Sequence, residues 1–220
     1  MELVIGNKNY STWSLRAWLL LDAFGLSYTE IQVSLVQENI QERLGKYSET
    51  SKVPVLIDGS LKVWDSLAIC EYVSENYLDG AGWPEKMEDR AIARSICAEM
   101  HSGFAALRTE LPMNCRAKRK VQFSEAAKAD IQRIEEIWSN YAASSGDGGI
   151  RLFGRFSIAD CFFAPVALRF MTYGITLSTK AEAYANSLLQ HPSVVRWVTL
   201  AKQETEIVVE DEAGEDVQEN

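Results

Sequence analysis

The chain has 220 residues, 47% hydrophobic and 24% charged, enough apolar material for one large domain or two small ones. With a formal net charge of -9 and no run of about 18 apolar residues, composition speaks against a helical membrane span and against a basic nucleic-acid-binding surface. Eight acids and no base fall between Glu204 and Glu219. Like-charge repulsion and low apolar content predict a disordered acidic tail over 204–220.

The opening, Met1 to Gly6, has an acid where a secretory leader has bases, and its apolar stretch is short. It reads as a first strand, Leu3-Val4-Ile5, in a cytoplasmic protein. A helix follows from Ser11 or Thr12, both good N-caps, and Gly25 closes it. Tyr28 to Val33 alternates as a second strand, and Asn39 to Tyr47 is a polar helical stretch. Val53 to Ile57 is a strand with Pro54 at its entrance, Asp58-Gly59 is a hairpin turn, and Leu61 to Trp64 returns. Ser66 then caps a helix through Val73. The predicted order is β-α-β-α-β-β-α over residues 1–79. Two glycines and Pro84 mark a linker at 80–85. Over 86–203 the pattern is helical: Met87 to Leu111, Ser124 to Ala143, Ser157 to Tyr173, Lys180 to Leu189 and a last short helix from Pro192. An α/β unit is thus followed by an all-α unit.

Cys70, Cys97, Cys115 and Cys161 are widely spaced, with neither CxxC nor metal-ligand spacing, and read as reduced, packed thiols. His101 and His191 are too far apart for a local metal motif, so no metal is expected.

Chemistry concentrates in three places. Tyr10 to Arg16 spans the first strand–helix junction, where free N–H groups, the helix dipole and a hydroxyl favour a bound thiolate. Taken alone, Ser11 and Thr12 are fully explained as caps. Val53-Pro54 is either an ordinary edge proline or a cis bond that turns backbone toward a peptide-like ligand. Asp65-Ser66 is either a plain helix start or a site for an α-amino acid, the acid taking the ammonium and the serine end the carboxylate. Ser157 and Asp160 form a capping-box arrangement with a structural role. Arg116, Lys118, Arg119 and Lys120 form a short basic cluster, read as an exposed loop or helix end.

Together, Ser11 through Arg16, Ser51 through Leu56, Asp65 through Tyr72 and Ser157 through Asp160 resemble the glutathione transferase superfamily over nearly the whole chain. The resemblance implies a thioredoxin-like glutathione-binding domain, an all-helical C-terminal domain and a homodimer. It implies that Ser11, in preference to the neighbouring hydroxyls of Thr12 and Ser14, activates glutathione and that Val53, preceding a cis Pro54, holds its cysteinyl part. Asp65 and Ser66 would take its γ-glutamyl end, with Lys52 as a further contact. The implied activity is conjugation of the glutathione thiolate, a co-substrate, to a small electrophile, as in detoxification, with no tightly bound cofactor. Asp65 departs from the family's usual glutamate. Trp13 stands where the zeta-like Ser-Ser-Cys-Ser pattern has cysteine, which counts against a zeta-type isomerase. The alternatives are a glutathione-dependent isomerase and a non-catalytic binding protein.

Overall fold

A computed structural model describes residues 1–217. Four strands, β1 (Glu2–Ile5), β2 (Thr29–Gln32), β3 (Val55–Asp58) and β4 (Leu61–Trp64), form one mixed sheet in the order β2-β1-β3-β4. β1 runs parallel to β2 and antiparallel to β3, with Val4 opposite both Ile31 and Val55. Between them come α1 (Thr12–Ala23), the short α2 (Ile40–Gly45) and α3 (Ser66–Tyr77). This is the thioredoxin-like order expected, and the Val53–Pro54 bond is cis. Leu15, Trp18, Leu19, Leu20 and Leu21 of α1 are all buried because the helix is enclosed by α3 and by two helices of the second half, Ile158–Tyr173 and Pro192–Ala201.

The second half holds α4 (Met87–Ser102), α5 (Ala105–Glu110), α6 (Glu125–Tyr141), α7 (Ile158–Tyr173), α8 (Thr179–Leu189) and α9 (Pro192–Ala201). α7 is buried along its length except at Met171, as its nearly unbroken apolar sequence requires. The capping box is present: Ser157 Oγ accepts from Ala159 N–H, and Asp160 accepts the Ser157 N–H at 2.9 Å. Asp160 also takes the Leu152 N–H and the Tyr184 hydroxyl, so it anchors two elements to the start of α7.

Four expectations need correction. Met87 to Leu111 is two helices. Gly103 leaves no room for a Cβ, which would sit 2.9 Å from the Glu99 carbonyl, and Phe104 adopts a left-handed φ of 58°. The resulting bend re-aims α5 and its Arg108. The cap of α3 is Asp65, not Ser66: at a φ of 76° its Oδ1 accepts from Leu67 N–H at 2.8 Å and Ala68 N–H at 3.2 Å.

The acidic segment is folded over its described part, and residues 218–220 of that expected tail lie outside the described residues. Glu204 accepts the Lys8 and Asn9 N–H groups at 2.7 and 2.9 Å. Glu206 takes Ser34 Oγ at 2.8 Å and also the Asn7 side chain. After a 3-10 turn (Val209–Asp211), Glu212 accepts from Tyr10 Oη, Asn114 and Arg119. Short strands β5 (Arg119–Lys120) and β8 (Glu215–Asp216) then pair. The repulsion inferred from composition is offset by backbone donors and by the basic cluster. That cluster is therefore no free loop: Arg116 donates to the carbonyls of Glu204 and Glu206, and Arg119 pairs with Glu212 and Asp216. A remaining pair, β6 (Ala142–Ser144) and β7 (Ile150–Leu152), forms a hairpin.

Candidate functional site

The start of α1, the entrance to β3, the β4–α3 turn and the α4–α5 bend converge on one cleft. It comprises two adjoining cavities of about 390 and 470 Å³ that share Trp13, Lys52 and Val53. The smaller adds Pro54, Asp65 and Ser66; the larger adds Ser11, Arg108, Arg169 and Asp211. Ser11, Lys52, Val53, Pro54, Asp65 and Ser66, singled out in the sequence, are thus brought together. Ser157 and Asp160 lie apart from them in the core of the helical half.

Ser11 is the N-cap of α1. Its Oγ accepts from Ser14 N–H at 3.3 Å and donates to Ser14 Oγ at 2.7 Å. Ser14 is fully buried and its Oγ also takes the Gly6 N–H at 3.1 Å. A chain of hydrogen bonds therefore runs from the end of β1 through Ser14 to Ser11. Thr12 and Trp13 N–H, in the first turn, have no acceptor within the helix, so the positive helix end is open toward the cavity.

Charge under the helix start is positive. Arg16 is buried, lies over the rings of Trp13 at 4.3 Å and Phe162 at 4.6 Å, and leaves Nε and Nη1 without a partner among the described residues. Burial, then the nearby Arg108, lowers its pKa to about 9. Burial and Arg108 likewise bring Arg169 down to about 10. All three guanidiniums remain charged at neutral pH. The four cysteines are free and buried, and burial pushes their pKa values up, Cys115 to about 12. None is prepared to act as a thiolate.

At the opposite end, Ser66 Oγ is buried without a hydrogen-bond partner among the described residues, although it lines the smaller cavity. The second Asp65 oxygen faces His101 Nε2 at 3.1 Å, and the His101 ring stands edge-on to Trp13 at 5.1 Å. Burial lowers the His101 pKa, against the opposing pull of Asp65. In the sequence His101 is weighed only as a metal ligand, and Arg108 carries no assigned role. Arg169 and Asp211 had no local signal, since both reach the cleft through tertiary packing alone.

The family model described as the glutathione S-transferase N-terminal domain matches residues 10–76. A glutathione transferase homolog from Burkholderia, crystallised with bound glutathione, superposes with a TM-score of 0.70 at 26% identity, covering 93% of this chain and 98% of that one. Residues 10–76 are thus a glutathione S-transferase N-terminal domain, and the whole chain has the glutathione transferase fold. Among curated relatives, glutathione S-transferase Z1 of Arabidopsis thaliana is 28% identical over 170 residues, 72% of this chain and 74% of that protein. Dichloromethane dehalogenase of Methylorubrum extorquens is 52% identical over only 42 residues, 19% of this chain and 14% of that protein. The likeness thus rests on the family match over residues 10–76 and on the fold of the whole. Among the described residues no helix is long and apolar enough to cross a membrane.

Proposed function

We propose that the cleft binds glutathione and that Ser11 stabilises its thiolate for attack on a small electrophile. One observation carries this reading. A hydroxyl at an open helix N-terminus shares a cleft with backbone, anion and orphaned serine groups suited to a peptide bearing an α-amino acid end. The Val53 backbone would pair with the cysteinyl unit, Lys52 would meet a carboxylate, Asp65 the α-ammonium and Ser66 Oγ the α-carboxylate. Binding sets the sulfur near Ser11. The Ser11 O–H then turns from Ser14 to the sulfur, while Ser14 Oγ, fed by the Gly6 N–H, donates to Ser11 in return. Helix dipole and hydroxyl together favour the thiolate over the thiol. The thiol proton passes to solvent, the sulfur forms a C–S bond with the electrophile, and the displaced electron pair leaves with the departing group or, on an enone, moves to the α-carbon, which takes a proton from solvent.

A second reading, glutathione-dependent cis–trans isomerisation, draws on Arg108 and Arg169 in the cleft and on relatives such as a probable maleylacetoacetate isomerase of Caenorhabditis elegans, 28% identical over 118 residues. A cytoplasmic homodimer is the assembly we infer, with exposed Leu61, Trp64 and Met87 as apolar surface available to a second copy.

The test follows thiolate absorbance of bound glutathione against pH in the wild type and in Ser11→Ala. The expected result is a bound-thiol pKa well below the free thiol's reference of about 8.5, raised by at least about one unit in the variant. Binding without any depression in the wild type would defeat the catalytic reading. A conjugation assay beside a cis-enone dicarboxylate isomerisation assay separates the two readings.

A further inference from the structure

The acceptor end of the cleft holds a charge arrangement that glutathione recognition leaves unexplained. Arg108 and Arg169 line the larger cavity together with Lys52, and Asp211 is its only lining carboxylate among the described residues. Both guanidiniums are fixed on neutral acceptors. Arg169 donates to the carbonyls of Arg108 and Leu111, and Arg108 donates to those of Met100 and His101. Carbonyl partners hold a guanidinium in place without cancelling its charge. Asp130, the acid that acts on Arg108, is occupied by the Leu107 N–H at 3.0 Å and does not line the cavity.

Asp211 reaches this place only because the C-terminal strap is latched. Its own N–H closes the 3-10 turn on the Val208 carbonyl at 3.0 Å. The next residue, Glu212, is tied to Tyr10, Asn114 and Arg119. The carboxylate is half-buried, and its charge acts on Arg169. An anion that acts on one of two fixed cations lining the same cavity helps decide which charge an incoming ligand meets.

We propose that Asp211 is a specificity-determining residue that sets the charge preference of the acceptor end, partly neutralising Arg169 and so disfavouring anionic acceptors. This rests on the conjugation reading above. Removing the carboxylate leaves the arginine pair to an acceptor's own carboxylate. One charge–charge interaction near a protein surface corresponds to roughly a five- to tenfold change in relative affinity.

The experiment compares ethacrynate with its uncharged methyl ester as acceptors of glutathione, in the wild type, Asp211→Asn and Asp211→Glu. The ratio of kcat/KM for the acid to that for the ester is expected to rise about five- to tenfold in Asp211→Asn, through KM. In Asp211→Glu, which keeps the charge, it should stay within about twofold of the wild type. A ratio unmoved in Asp211→Asn, or moved equally in Asp211→Glu, would show that Asp211 only holds the strap. If the wild type turns over neither acceptor, the conjugation reading fails by itself. Calorimetric binding of dihydroethacrynate, which has no enone and cannot react, still decides the charge filter. Tighter binding to Asp211→Asn than to the wild type supports it, and equal binding, or none to either form, overturns it.

Discussion

Glu204→Ala tests the strap most directly. In the wild type one carboxylate takes two consecutive backbone N–H groups, from Lys8 and Asn9, at 2.7 and 2.9 Å. Truncation leaves both donors without that acceptor in a part-buried setting. A hydrogen bond to a charged group contributes about 1.5–3 kcal/mol when buried, so two at partial exposure amount to about 2 kcal/mol. If this loss falls on local opening of the loop, the Lys8 and Asn9 amides exchange about 30-fold faster. Amide hydrogen exchange by NMR reads this residue by residue, with the core amides of β1 as an internal reference. Unchanged protection at Lys8 and Asn9 would refute the reasoning and return the segment to the disordered tail that composition suggests.

Other outcomes follow from the site and its surroundings. Asp65→Asn keeps a good helix cap but removes the anion; thermal stability should change by less than about 0.5 kcal/mol while the glutathione Kd rises about tenfold by calorimetry. An unchanged Kd would place the ammonium elsewhere. His191 caps α9 through Nδ1, stacks on Phe156 at 4.2 Å, and burial lowers its pKa to about 4. Its folded-state pKa lies below the unfolded value, so its contribution is complete above about pH 6.5 and is lost as pH falls toward about 4. His191→Asn, another capping side chain, should therefore flatten that acid limb by about 1–2 kcal/mol, allowing for partial exposure. Denaturant midpoints measured at pH 7 and pH 4.5 would show it, and parallel pH profiles in the two proteins would rule it out.

The elements of the first half were legible because each carries a local signal. β1 and β3 are short apolar runs, Asp58-Gly59 is a turn, and Ser11 stands one residue before a helical pattern. The cleft-lining positions Val53, Asp65 and Ser66 were legible for the same reason, since each lies at an element boundary. What was missed depends on residues far apart in sequence. Periodicity ran through Gly103 and Phe104 because apolar residues continue on both sides of the bend. An acid run looks self-repelling when its partners are backbone amides of residues 8 and 9 and arginines at 116 and 119. The meeting of Asp65 with His101, and the sharing of one cavity by Arg169 and Asp211, are decided by tertiary packing, which spacing constrains only loosely.

The strap also bears on how the molecule matures. Its carboxylate contacts to Lys8 and Asn9 join residues 196 and 195 positions apart. Closing so large a loop is entropically unfavourable until the intervening helices have packed. The sheet and α7 should therefore assemble first, with the loop preceding Ser11 set last. In refolding, tryptophan fluorescence should recover ahead of glutathione binding, and the interval between the two would time the fastening of the chain's distant end onto its beginning.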